Sequence, residues 1–147
     1  MSEEGFIVSP EEIACACQGA LPAQVVEGLE LFNRRKYFES HEALEAAWRE
    51  ESGPVRELYR GILQIAVAYL HITRGNYPGS VKMFLRSRTW LTPFPDECCG
   101  IDLATFRVDY GRVEEMLYRL GPTHLSSLDR SLLKPIRFKE HPAANAG

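Results

Sequence analysis

The chain has 147 residues, 45% hydrophobic and 25% charged, which suits one folded domain with its own apolar core and makes disorder unexpected away from the ends. A net charge of −3, a pI near 5.8 and arginines scattered rather than clustered argue against a nucleic-acid partner. The opening MSEEGFIVSPEE lacks a basic-then-apolar leader pattern, and the longest apolar run, around Ile62 to Ile72, is too short and interrupted to span a membrane. The expectation is a cytoplasmic protein without membrane contact.

Ser9-Pro10-Glu11-Glu12 forms a capping box with proline at the first helical position, so a short helix is predicted to run to about Gln18, where Gly19 stops it. Cys15 and Cys17 lie in this segment, and Cys98 and Cys99 lie far downstream. Neither pair has the C-x2-C spacing of ordinary zinc sites, so buried reduced thiols are expected, with a four-thiolate site as the alternative. A chain of this length does not need disulfide staples.

A second helix is predicted from near Pro22, with Val25, Val26, Leu29 and Phe32 on one face. After a turn at Lys36-Tyr37 a third runs to about Glu50. Ser52-Gly53-Pro54 breaks it and opens a fourth, to about Arg74. Asn76 and Pro78 start a fifth that reaches Leu91, the segment TPFPDECCG is a loop, and Asp102 caps a final helix that Gly121-Pro122 ends. The sequence thus divides into an N-terminal extension with a short helix (1–20), a helical core (21–121) and a C-terminal tail (122–147). The tail is weakly helical, its last residues HPAANAG are expected to be disordered, and His124 and His141 are expected to be solvated.

KYFESHEALEAAW and NYPGSVKMFLRSR each follow a helix, place tyrosine one residue after a polar turn residue, and put serine three residues later. Tyr37 and Tyr77 are forty positions apart. This suggests an all-α bundle of five to six helices built from antiparallel hairpins, with packing like that of tetratricopeptide proteins.

The stretch HEALE, from His41 to Glu45, looks like the H-E-x-x-H zinc-protease helix with its second histidine replaced. On a wheel of about 100° per residue with His41 at zero, Glu45 lies at about 40°, Trp48 at about −20°, Tyr37 at about −40° and Phe38 at about 60°. This reading puts His41 and Glu45 on the apolar face, Glu42 at its edge, and Glu39 and Glu50 further round. Tyr37, Phe38, Trp48 and Tyr59 read as core packing. In the fourth helix Glu57, Arg60, Gln64 and His71 share one stripe with the small residues Gly61 and Ala68, which would let another helix approach. Arg88 is expected to close the set from the fifth helix, whereas Lys82 and Arg86 are expected on its outer face.

These residues carry a resemblance. FNRRKYFESHEALEAAW followed by RELYRGILQIAVAYLHITRGNYPGSV is similar to the bacterial uncharacterised family known as domain of unknown function 309, over roughly residues 25 to 91. The resemblance implies packed helices and a polar pocket at Glu39, His41, Glu42, Glu45, Trp48, Arg60, Gln64 and His71, and implies no activity.

Three functions compete for this cluster. It is a hydrogen-bond network that fixes helix register in a structural or binding module. Alternatively it is a divalent-metal or small-ligand site, with His41, Glu45 and His71 as ligands and Glu39 and Arg88 at the rim; were it hydrolase-like, His41 or Glu42 would be the base and Arg60 would position an anion. The third reading is a tetratricopeptide-like adaptor for a protein or peptide partner. A homodimer is the base-rate assembly.

Overall fold

The computed structural model describes residues 8–139, and the chain over these residues is helical as its periodicity predicts. The helices are α1 (Pro10–Ala16), α2 (Ala23–Asn33), α3 (Tyr37–Glu50), α4 (Arg56–Thr73), α5 (Tyr77–Leu91) and α6 (Leu103–Leu120). The capping box that opens α1 is formed in both directions: the Glu12 N–H donates to Ser9 Oγ and the Ser9 N–H donates to Glu12 Oε1. Asn76 and Asp102 likewise accept from the first turns of α5 and α6. No helix among the described residues is long and apolar enough to cross a membrane.

The helices pack in chain order, α2 on α3, α3 on α4 and α4 on α5. The forty-residue echo extends to atomic detail. Arg35 and Gly75 both take positive φ, 63° and 73°. Each left-handed residue closes a Schellman turn: the Lys36 N–H donates to the Leu31 carbonyl at 2.9 Å, and the Asn76 N–H donates to the His71 carbonyl at 2.8 Å. Inside each hairpin a buried serine bridges the two helices. Ser40 Oγ donates to the Gly28 carbonyl and Ser80 Oγ to the Ala68 carbonyl, at 2.7 and 3.1 Å. Both contacts need a small residue opposite, and a Cβ on Gly28 would lie 2.7 Å from Leu44.

The core is aromatic at its centre. Phe32 of α2, Tyr69 of α4, Phe84 of α5 and Tyr110 and Phe106 of α6 form a closed ring of neighbours with centroids 5.1 to 6.4 Å apart. This ring seals α6 across both hairpins, and apolar burial of this kind is the main term holding a helical domain together.

Three features depart from the sequence reading. The loop before α6 contains a two-residue hairpin, β1 (Glu97–Cys98) and β2 (Ile101–Asp102), with Cys99 and Gly100 at positive φ in its turn. The tail is packed through Lys139: Leu125, Leu128, Leu133 and Ile136 are buried in the common core. There the Asn33 amide donates to the Ile136 carbonyl and accepts from the Ile136 N–H, so the side chain clamps the backbone as a strand would. His141 and the rest of HPAANAG lie outside the described residues.

The third departure concerns the cysteines. Cys17 and Cys98 are joined by a disulfide, which corrects the expectation of reduced thiols and of a four-thiolate site. Cys15 is exposed, and Cys99 is buried with its Sγ against the Ala16 carbonyl. Burial pushes the Cys99 thiol above its ordinary pKa, so it is a poor thiolate, and its N–H donates to the Cys17 carbonyl at 2.8 Å instead. The bond, these two hydrogen bonds and buried Ile13 hold α1 against the domain.

Candidate functional site

The buried positions of α3 are Tyr37, Ser40, Leu44 and Ala47. On the wheel with His41 at zero these centre near −80°, so His41 sits at the edge of the buried face and Glu45 well outside it. The expected core-facing Glu45 is therefore corrected: its side chain is 33% exposed and pairs with Arg49 at 3.2 Å and with His41 at 3.6 Å, along its own helix. Phe38 and Trp48 pulled the apparent apolar face round, yet Phe38 is 46% exposed and Trp48 half-buried. Glu39 and Glu42 are exposed.

His71 joins neither His41 nor Glu45. It lies in the last turn of α4, where the Asn76 side-chain amide meets its Nδ1 at 3.2 Å. Eleven residues of helix separate it from Arg60, roughly 16 Å along the axis. Among the described residues no three His, Cys, Asp or Glu side chains are gathered so that they could hold a metal ion. The stripe on α4 is real, but it runs along the helix and does not converge on a point.

Burial and the neighbouring Arg74 both lower the His71 pKa from 6.5. As pH falls, the unfolded chain takes up this proton first, so the stability His71 contributes is complete above about 6.5 and erodes as pH drops towards the lower folded value. Wild type is expected to lose more stability than His71→Asn between about pH 7.5 and pH 5, measured by denaturant unfolding. Parallel losses would contradict the assignment.

Where side chains do converge is the other end of α4. The Arg60 guanidinium lies between two indoles, with its central carbon 4.8 Å from the Trp48 ring and 4.0 Å from the Trp90 ring. Arg56 covers Trp48 at 4.3 Å and donates from Nε to the Trp48 carbonyl. Glu57, one turn before Arg60, lies 2.9 Å from its Nε as an ion pair, although neither atom makes an aligned hydrogen bond. Arg60, Gln64, Arg86, Thr89 and Trp90 line a cavity of about 310 Å³ here. Buried Trp48 Nε1 and Gln64 Oε1 have no hydrogen-bond partner among the described residues.

The sequence reading supplied Trp48, Arg60 and Gln64 and missed Arg56, Arg86, Thr89 and Trp90. Arg86, expected on the outer face of α5, is exposed there and also edges the cavity, while Arg88, expected on the cluster side, is not part of it. The buried stripe of α5 is in fact Ser80, Phe84, Ser87 and Leu91, with two serines that a hydropathy reading counts as polar. That stripe turns Arg86 and Trp90 to the cavity and Arg88 to α6. There Arg88 donates to both oxygens of Glu114, at 2.6 and 2.7 Å, and Tyr118 donates to Glu114 Oε2 at 2.6 Å. One signal could have shown the cavity: the chain has two tryptophans, and the second stands four residues after an arginine on a helix that packs on α4.

Two hairpins with matching turns, serine bridges and a cation-lined cavity at one end define a small helical protein of duplicated hairpin architecture. The model of the family described as Domain of unknown function (DUF309) matches residues 25–83, a segment that holds α2, α3, α4 and the first half of α5. The chain is also similar to the Uncharacterized protein YpuF of Bacillus subtilis (strain 168), at 38% identity over 111 residues. That match covers 74% of this chain and 61% of the relative, so the chain spans less than two thirds of the relative's length. Trp48, Arg60 and Gln64 fall within the family segment, while Arg86, Thr89 and Trp90 follow it.

Proposed function

We propose that the chain is a binding module whose cavity between α4 and α5, with Trp48 of α3 stacked on its Arg60, takes the anionic group of a small ligand. The observation that supports this reading most is Arg60 held between two indoles. A guanidinium stacked on its faces keeps its in-plane N–H edge for hydrogen bonding, and its rotamer entropy is already spent before a ligand arrives. Arg56, Arg60 and Arg86 against Glu57 leave a local excess of positive charge in a chain whose net charge is −3. Gln64, Thr89 and Trp90 complete a lining that is mostly polar, with one aromatic side chain. The reading involves no proton transfer or nucleophile.

The chain's two tryptophans both touch Arg60, so their fluorescence reports on the site directly. Titration with inorganic phosphate and with acetate is expected to give a saturable change in wild type. Arg60→Gln is expected to weaken it tenfold or more, since hydrogen bonds to charged groups contribute about 1.5–3 kcal/mol. Arg119→Gln, an exposed change on α6, is expected to leave it unaltered. A wild type with no saturable response to either anion would sink the reading.

A further inference from the structure

Beside the cationic cavity lies a second hollow, of about 210 Å³, lined by Val8, Ile13, Pro54, Pro93 and Phe94 together with Glu57, Thr89 and Trp90. Thr89 and Trp90 line both, so the two spaces are neighbours on either side of these residues. One is bounded by Arg60, Gln64 and Arg86; the other is apolar apart from Glu57 and Thr89. Glu57 already pairs with Arg60, so the carboxylate at the join is compensated from the cationic side.

Resting on the reading of the cavity as an anion site, we infer that its ligand is amphiphilic: a small organic acid whose carboxylate meets Arg60 and Arg86 and whose apolar tail passes Trp90 into the second hollow. Neither space specifies this alone. An inorganic anion would fill the first and leave the apolar hollow to water. A neutral apolar molecule would fill the second and leave the excess positive charge of Arg60 and Arg86 over Glu57 without a counter-charge. A carboxylate with an alkyl tail satisfies both, and the juxtaposed volumes, together about those of a small ligand site, hold one such molecule and no extended chain. The wall of the tail pocket comes from an unexpected source. Val8 and Ile13 belong to the N-terminal segment and α1, outside the two hairpins, so α1 completes the site.

The experiment is a homologous series of unbranched carboxylates, from acetate through butanoate, hexanoate and octanoate, titrated against the intact chain by tryptophan fluorescence and by calorimetry. Affinity is expected to rise about threefold to fourfold per methylene, the value for apolar transfer from water, and to level off once the hollow is full. The matching unbranched alcohols are expected to bind far more weakly. Val8→Asn and Pro93→Asn, neutral polar changes at partly and fully exposed positions, are expected to flatten the series and leave acetate binding unchanged. Acetate and phosphate binding with no dependence on tail length overturns this inference and leaves the anion site standing. Alcohols that bind as tightly as the acids also overturn it, because the cations then play no part. No response to any anion overturns both readings.

Discussion

Reduction of the Cys17–Cys98 bond is expected to lower the unfolding free energy by about 4 kcal/mol and the Tm by on the order of 10 °C. The magnitude comes from the length of chain that the bond closes, 81 residues in sequence separation, because a cross-link removes more conformations from the unfolded ensemble when its loop is long. A further loss follows locally: α1 is short, its single buried residue is Ile13, and its other ties are the two hydrogen bonds of Cys99. The check is thermal unfolding of the oxidised chain, the chain with excess dithiothreitol, and Cys98→Ser, with Cys15→Ser as the control that should match wild type. Four titratable thiols in the untreated protein, with no effect of reductant, would contradict the bond.

The second large effect is expected at the α5–α6 contact, and it is asymmetric. The Glu114 side chain is only 8% exposed and takes its charge compensation from Arg88, whose own side chain is 54% exposed. Truncating Arg88 strands a buried carboxylate with Tyr118 as its remaining donor, whereas truncating Glu114 returns an arginine to water. Arg88→Ala is therefore expected to cost about 3 kcal/mol. The double variant Arg88→Ala/Glu114→Met should recover much of the loss, since an apolar side chain of similar size suits the site without a partner. Additive losses in this cycle, read from denaturant midpoints, would show that the pair is not coupled.

Much of the architecture could be read from local chemistry. The capping box at Ser9, the Asn76 and Asp102 caps and the breakers between helices act over three or four residues, and they place the helix ends within a residue or two of those observed. The forty-residue echo was legible from Tyr37, Ser40, Tyr77 and Ser80, although its content, a hydroxyl bridging two helix backbones, was not. What failed was the direction of side chains on a wheel. Half-exposed Trp48 and exposed Phe38 read as core, which rotates α3 enough to misplace Glu45, and buried Ser80 and Ser87 give no apolar marker for the inward face of α5, which leaves Arg88 on the wrong side. Aromatics and serines carry little information about facing, because an indole can lie along a surface and a hydroxyl can bond to its own helix. The disulfide and the packed tail depend on contacts distant in sequence, and a pass along the chain has no access to them.

The bond between Cys17 and Cys98 also decides how the molecule would carry a mechanical load. Both hairpins, α2 through α5, hang between the two sulfurs as a closed covalent loop. Tension applied at the chain ends passes from residue 17 to residue 98 through the sulfurs and never reaches the loop, so only α1, α6 and the packed tail can be peeled away. At roughly 3.5 Å per extended residue, about 280 Å of contour length stays hidden until the cross-link is reduced. The oxidised chain should therefore stretch as a short tether, with the segment from α2 to α5 shielded from the load.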